Sequence, residues 1–279
     1  MDWIPRIPLG HWIETSLKWL TTEYSIVTRS ISRLTQNGID GLNDVLLGVP
    51  DWGFMLVVVL ICWRLSGWRL ALGSVLGLIL TENMGLWDPM VKTLTLVVIA
   101  TLVAVVIALP IGILAALSTR LYRMVMPVLD FMQTMPAFVY LIPAIPFFGI
   151  GSVSAIFATV IFSMPPAIRL TILGIRQVPG DLIEAADAYG ATRMQKLVKV
   201  QLPLSLPTIM AGINQTIMLA LSMVVIAAMI GAEGLGSEVW RAIQRLRPGD
   251  GFEAGIAVVI LAMILDRITQ SFRKSNKEE

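Results

Sequence analysis

The sequence predicts an all-α membrane protein that crosses the bilayer several times. Of its 279 residues, 56% are hydrophobic and only 14% are charged, whereas about a quarter of the residues in a soluble domain are charged. Several apolar runs reach the roughly 20 residues that a helix needs to cross a bilayer. The net charge of +2 gives no reason to expect a nucleic acid as a partner.

Residues 1–48 are predicted to form an amphipathic region that lies in the membrane interface or packs on other helices. Their apolar residues recur at steps of three and four, which places them on one helical face. The stripe consists of Ile13, Leu17, Leu20, Tyr24, Val27, Ile31 and Leu34. A helix with such a stripe tends to lie in the interface plane. Asn37-Gly38 and Gly41 are expected to interrupt it.

Seven spans are predicted after this region. Residues 49–88 form an accessory hairpin of two spans, the first of them short, and residues 89–272 form a core of five. Residues 273–279 are a polar tail. Lys and Arg are more frequent on the side of the C-terminus, which favours a cytoplasmic C-terminus. The cations of residues 1–48 go against that rule, so the side of the membrane on which this region lies stays open.

Prolines interrupt two of the apolar segments. Met135-Pro136, Ile142-Pro143 and Ile145-Pro146 fall in one of them, and Met164-Pro165-Pro166 falls in the next. Each proline removes a backbone donor and strains a helix. Within a bilayer such breaks are tolerated only against protein or a water-filled cavity. We therefore expect the first segment to face the interior of the assembly.

The polar residues near these breaks are candidates for a translocation path. They are Gln133, Thr134, Met135, Pro136 and Phe138 on the broken segment, with Asn214, Gln215, Met218 and Ser222 on a later span. Polar side chains within a membrane usually face the helix bundle. Hydrogen bonding between helices is the alternative role for them.

A polar segment, residues 181–203, interrupts the apolar sequence. Asp181 is expected to cap a first helix, and Gly190 is expected to end it in a left-handed conformation. A second helix from about residue 191 to 201 is expected to stop ahead of Pro203. Two short helices joined by a sharp turn predict a rigid projection that can enter a cleft in another protein.

The chain lacks the residues that catalysis would need. It has one Cys, one His and no GxxxxGK[ST] sequence, so neither a P-loop nor a Cys/His metal site is expected. We expect a non-enzymatic chain without its own metal or cofactor.

The spacing within the polar segment resembles the EAA loop of ABC-importer permeases. Glu184-Ala185-Ala186 is followed by three residues, Gly190, nine residues, Val200, one residue and Leu202-Pro203. Residues 131–151, 162–192 and 211–239 resemble one branch of these permeases, which imports glycine betaine, proline betaine and related quaternary ammonium osmoprotectants. The resemblance extends over nearly the whole chain.

This resemblance implies a type I importer fold with a five-helix core in a bacterial cytoplasmic membrane. Two copies of the chain would form the pathway, and two separate ATPase subunits, which hold ATP and Mg²⁺, would drive it. An extracytoplasmic binding protein would deliver the solute. An ABC permease of the same type for choline, carnitine or an amino acid is one alternative, and a stand-alone secondary transporter is another.

Two groups of residues would contact these partners. The expected ATPase-coupling residues are Glu184, Ala185, Ala186, Asp187, Gly190, Arg193, Leu202 and Pro203. Arg193 could equally anchor lipid phosphate. The expected contacts of the binding protein are Glu233, Glu238 and Arg241, with a simple solvated loop as the alternative.

Overall fold

The computed structural model describes residues 8–275, and every regular element in that range is helical. The α-helices are, in order, α1 (Leu9–Glu23), α2 (Ser25–Gly48), α3 (Asp51–Ser66), α4 (Trp68–Asn83), α5 (Trp87–Leu117), α6 (Thr119–Thr134), α7 (Leu141–Phe148), α8 (Ser152–Arg176), α9 (Gly180–Ala188), α10 (Arg193–Lys196), α11 (Leu202–Ala227), α12 (Leu235–Gln244) and α13 (Pro248–Ser275). The predicted all-α class is confirmed. Residues 1–7 and the end of the predicted tail 273–279 lie outside the described residues.

The N-terminal region forms two helices, α1 and α2, which meet at Tyr24. The predicted interruption at Asn37-Gly38 and Gly41 is wrong, because α2 continues to Gly48. A glycine inside a helix costs only about 1 kcal/mol, and Ile39 between these glycines is 3% exposed in the main core. Packing of Ile39 offsets the weak local propensity.

Five of the seven residues in the predicted apolar stripe of this region are exposed, and Leu17 and Leu20 are partly buried. Ile13, Val27 and Leu34 are 58%, 52% and 75% exposed. The stripe is therefore free to meet lipid or another protein.

α3 and α4 form a hairpin around Gly67, which adopts a φ of +86°. Each helix has 16 residues, or about 24 Å at 1.5 Å per residue. That length is short of the roughly 30 Å hydrocarbon core. Cys62 is fully buried here and accepts a hydrogen bond from Ser74 Oγ at 3.4 Å.

The centre of the molecule consists of α8 packed along both α5 and α11. Two glycines allow the close approach. A Cβ on Gly112 of α5 would lie 2.7 Å from Thr171 Cβ, and one on Gly212 of α11 would lie 3.1 Å from Ala167 Cα. Lipid tails are as apolar as membrane helices, so such helices associate through close van der Waals packing. Small residues at the contact permit that packing.

The chain bends by 111° between α6 and the segment Ala137–Phe148. The predicted break is confirmed at Met135-Pro136, where Met135 adopts an extended conformation. Pro143 and Pro146, by contrast, are accommodated within α7. The buried Tyr140 hydroxyl donates to the Met132 carbonyl and so spans the break.

The second predicted break is wrong, because α8 runs unbroken through Pro165 and Pro166. Both prolines are buried. A Cβ on Gly212 would lie 3.2 Å from the Pro166 carbonyl, so α11 lies directly against this point. Tight packing on both sides supports the helix where backbone donors are missing.

Three helical stretches of the described chain are long and apolar enough to cross a membrane, or up to five if each bent pair counts as one span. The three are Trp87–Leu117, Ser152–Arg176 and Arg193–Ile230. This is fewer than the seven spans predicted, partly because α3 and α4 are short. By length and composition, either count fits a chain that crosses a membrane more than once.

Candidate functional site

The polar segment, here called the EAA loop (residues 181–203), begins within α9. The predicted cap at Asp181 is wrong, because α9 starts one residue earlier, at Gly180, with Pro179 as its N-cap. Proline is compatible with a helix start because its missing N–H would have no partner there. Asp181 lies instead in the first turn, where its charge suits the helix dipole.

Gly190 ends α9 as predicted, with a φ of +73°. Its backbone N–H donates to the Asp187 carbonyl, and the N–H of Ala191 donates to the Ala186 carbonyl, both at 2.9 Å. This pair of bonds is the Schellman motif, which favours glycine at the left-handed position. The turn is therefore fixed by backbone geometry.

The second arm of the loop starts with α10. Thr192 caps it: its hydroxyl accepts from the Gln195 N–H at 3.3 Å, and the Gln195 side chain accepts from the Thr192 N–H at 2.7 Å. This reciprocal pair satisfies two of the free donors at the helix start.

The predicted stop before Pro203 is wrong. A π-helical turn at Leu197–Gln201 links α10 to α11, and Arg193–Ile230 forms one helical stretch. A proline at position 203 would clash with the carbonyl four residues earlier in an ordinary α-helix. The wider π turn, in which the Leu202 N–H bonds to the Leu197 carbonyl, relieves that conflict.

An ion pair joins the two arms. Lys196 Nζ lies 2.6 and 2.8 Å from the two carboxylate oxygens of Asp187. The Lys196 side chain is only 18% exposed. Asp187, expected to act in coupling, is thus engaged within the loop, and Lys196 is a residue that the sequence analysis missed.

The surface of the loop carries most of the expected coupling residues. Glu184, Ala185, Gly190, Arg193 and Pro203 are exposed, whereas Ala186 and Leu202 are partly buried. Tyr189, directly before the turn, is 93% exposed. Sequence reasoning missed Tyr189.

The expected path residues on the broken segment lie at the bend. Gln133, Thr134, Pro136 and Phe138 are exposed, and Met135 packs against the main core. The Thr134 hydroxyl donates to the Phe131 carbonyl at 2.9 Å. Four of the five side chains are therefore available to a solute or a neighbouring subunit.

The path candidates on α11 divide into two kinds. Asn214 donates to Asp266 Oδ1 at 2.9 Å and accepts from the Thr269 hydroxyl, so it bonds α11 to α13. Gln215 and Ser222 are exposed and Met218 is partly buried. The Ser222 hydroxyl donates to the Met218 carbonyl at 3.0 Å. The alternative role of hydrogen bonding between helices is observed for Asn214.

Asp130 and Arg176 lie on the α6–α8 side of the core. Asp130 of α6 forms an ion pair with Arg169 of α8 at 2.6 Å. Arg176 donates to the carbonyls of Ala115 and Ala116, and its guanidinium lies 3.9 Å from the centre of the Tyr122 ring.

The three expected binding-protein contacts line one cavity of about 360 Å³. Lys92 of α5 donates to Glu233 at 2.5 Å, and Arg241 donates to Glu238 at 2.6 Å. Thr93 Oγ1 accepts the Leu235 N–H at 2.8 Å and so fixes the start of α12. The structure thus brings Glu233, Glu238 and Arg241 together.

Comparison with known proteins places this geometry in a family. The profile described as "Binding-protein-dependent transport system inner membrane component" matches residues 108–275. The chain is 50% identical to the glycine betaine transport system permease protein OpuAB of Bacillus subtilis, over 99% of this chain and 98% of that protein. It is also 50% identical to the glycine betaine/carnitine transport permease protein GbuB of Listeria monocytogenes, over 99% of each chain.

A solved structure shows the same fold. An inward-facing structure of the MetNI methionine ABC transporter superposes with a TM-score of 0.62 at 25% identity, over 66% of this chain and 92% of that one. Permeases of this kind work with a separate ATPase and a substrate-binding component. The chain therefore belongs to the family of binding-protein-dependent transport system inner membrane components, as a non-catalytic membrane subunit of a type I ABC importer.

Proposed function

We propose that two copies of this chain form the pathway of an ATP-driven importer for glycine betaine and related quaternary ammonium osmoprotectants. The observation that carries the proposal is the 50% identity to two permeases whose names include glycine betaine, over nearly the whole length of each. Similarity of this extent includes the broken segment and α11, where a solute would pass.

The pathway is proposed to be permissive, with recognition left to the binding protein. A quaternary ammonium ion has no N–H to donate and is typically held by aromatic faces. Phe148 stacks on Phe157 at 3.8 Å, so one of its faces is occupied. Phe131 and Phe138 are 64% and 52% exposed. These two rings at the bend support transient contact with the cation.

The EAA loop is proposed to dock on the ATPase subunits, which hold ATP and Mg²⁺. Its exposed surface around Glu184, Ala185 and Tyr189 would enter a cleft of the ATPase. The Asp187–Lys196 pair and the turn at Gly190 would keep the loop rigid, so that closure of the ATPase dimer moves α11 directly.

The chain is proposed to lie in a bacterial cytoplasmic membrane with the EAA loop and the C-terminus in the cytoplasm. The cavity around Glu233, Glu238 and Arg241 would then lie outside and receive the binding protein. Carnitine is a second candidate solute, because one of the relatives is named for glycine betaine and carnitine.

The test is competitive uptake by the complex reconstituted with its ATPase and binding protein. Labelled glycine betaine is expected to accumulate only with ATP, and unlabelled glycine betaine should compete better than choline, carnitine or proline. Stronger competition by carnitine or choline would show that this compound, and not glycine betaine, is the preferred solute. Uptake without ATP, or purification of the tagged chain without any ATPase subunit, would refute the importer itself.

A further inference from the structure

An apolar groove runs between α12 and the first half of α13 on the outside of the helix bundle. Its volume is about 940 Å³. Ile243, Phe252, Val259 and Met263 line it and are between 54% and 76% exposed. No element of the described residues 8–275 covers these side chains, so their apolar surface meets something outside this part of the chain.

Glycines leave the groove unfilled. Gly251 and Gly255 both line it, and a Cβ on Gly255 would meet nothing within 4 Å. Their missing side chains make a channel along α13 instead of a flat helix surface. An elongated flexible guest fits such a channel.

The turn at the head of the groove is strained. The N–H groups of Leu246 and Arg247 donate to the carbonyls of Ile243 and Ala242, which is the Schellman motif. The left-handed position, normally glycine, is held by Leu246 with a φ of +52°. A residue with a side chain adopts the left-handed conformation only at an energetic cost. The turn holds Leu246, which is 88% exposed, at the groove.

Arg247 supplies a positive charge at the same end. Its side chain is 65% exposed, and its ion pair with Asp250 is long, at 3.6 Å. That pair uses one nitrogen, which leaves other donors of the planar guanidinium for a phosphate. Asp250 and Glu253 line the neighbouring cavity rather than the groove.

The length of the groove matches one membrane leaflet. Phe252 and Met263 are 11 positions apart, or about 16 Å along a helix. Half of the hydrocarbon core is about 15 Å thick. An acyl chain that starts below Arg247 would therefore run along α13 to about the middle of the bilayer.

We propose that this groove binds one phospholipid, with its phosphate at Arg247 and an acyl chain along α13 between Phe252 and Met263. A helix from a second copy of the chain is the other possible occupant. We favour the lipid because it supplies both an apolar chain for the groove and an anionic phosphate that complements the exposed guanidinium of Arg247. The proposal is independent of the solute that the complex carries.

The test uses the whole complex in nanodiscs that contain phosphatidylglycerol with a photoreactive acyl chain. We expect the label to map to residues 252–263. Arg247→Gln should lower labelling there about tenfold, as expected for loss of a charge-assisted hydrogen bond. Gly255→Leu should abolish it by filling the channel. Arg123→Gln, which removes an exposed arginine of α6, should leave labelling unchanged.

Two results would overturn the proposal. One is equal labelling of residues 252–263 and of the exposed face of α5, insensitive to both groove variants, because that describes ordinary boundary lipid. The other is an efficient disulfide between two copies of Val259→Cys, which would show that protein covers the groove. Cys62 is the only native cysteine and is fully buried, so the introduced thiol is the reactive one.

Discussion

Lys196 Nζ lies 2.6 Å from Asp187 Oδ1 and joins the two arms of the EAA loop across its tip. The ammonium group belongs to a mostly buried side chain, whereas Asp187 is about half exposed. The pair therefore stabilises the loop from within while the outer surface of α9 stays available. We expect two arms held in this way to move as one body.

Lys196→Met is expected to loosen the loop and reduce coupled transport. An exposed or half-exposed ion pair contributes up to about 1 kcal/mol, so we expect uptake to fall up to about fivefold while ATP hydrolysis per solute rises. The measurement is uptake and ATPase activity in the same proteoliposomes. Lys199→Met, at an exposed lysine of the same loop, is the matched control. Equal behaviour of the two variants would show that the ion pair plays no part in coupling.

Gly190→Val is expected to abolish uptake while the chain still reaches the membrane. The φ of +73° costs a residue with a side chain roughly 1–2 kcal/mol, and the turn would open. Gly190→Asn should retain most of the uptake, because asparagine tolerates the left-handed conformation. Gly180→Val is the matched control, because it adds the same side chain where no left-handed conformation is required. Uptake by Gly190→Val at the wild-type rate would contradict the coupling role of this turn.

Gly112→Ala is expected to destabilise the core. The added Cβ would lie 2.7 Å from Thr171 Cβ and 3.1 Å from the Ile168 carbonyl, and overpacking of this kind costs roughly 1–3 kcal/mol. The check is the thermal unfolding midpoint in detergent. Gly73→Ala, with open space around the new methyl group, should be neutral or stabilising by up to about 1 kcal/mol. A midpoint for Gly112→Ala at or above that of Gly73→Ala would disprove the close contact between α5 and α8.

Glu233→Lys is expected to weaken docking of the binding protein. It removes the ion pair with Lys92 and reverses one charge at the outer cavity. Charges at the rim of an interface act mainly on the association rate. The binding-protein concentration for half-maximal ATPase stimulation should rise, and more so at low salt. Glu253→Lys, beside a neighbouring cavity, should raise this concentration less. A larger rise for Glu253→Lys than for Glu233→Lys would show that the binding protein docks elsewhere.

The sequence predicted the features that depend on spacing and on backbone freedom. The EAA pattern located the loop. Gly190 ends α9 and Met135-Pro136 marks the bend after α6, both as predicted. Predictions from a single local signal failed wherever packing or a change of helix type provided an alternative. Pro165 and Pro166 sit in an unbroken helix because α11 packs against them, and Pro203 follows a π turn.

Contacts between side chains of different helices could not be predicted. Lys196 with Asp187, Lys92 with Glu233, and Asn214 with Asp266 each depend on how helices pack, which no short pattern contains. The sequence placed Asn214 on a polar face but could not distinguish a solute-facing amide from one that bonds to α13.

The continuous helix from Arg193 to Ile230 makes the EAA loop one end of a lever. Its 38 residues span about 57 Å at 1.5 Å per residue. A tilt of about 5° at the loop would displace the far end by about 5 Å, roughly one helical turn. A break before Pro203 would have dissipated that tilt at a flexible joint. Because the π turn keeps the helical stretch unbroken at this point, a small stroke of the proposed motor would be carried from the loop into α11.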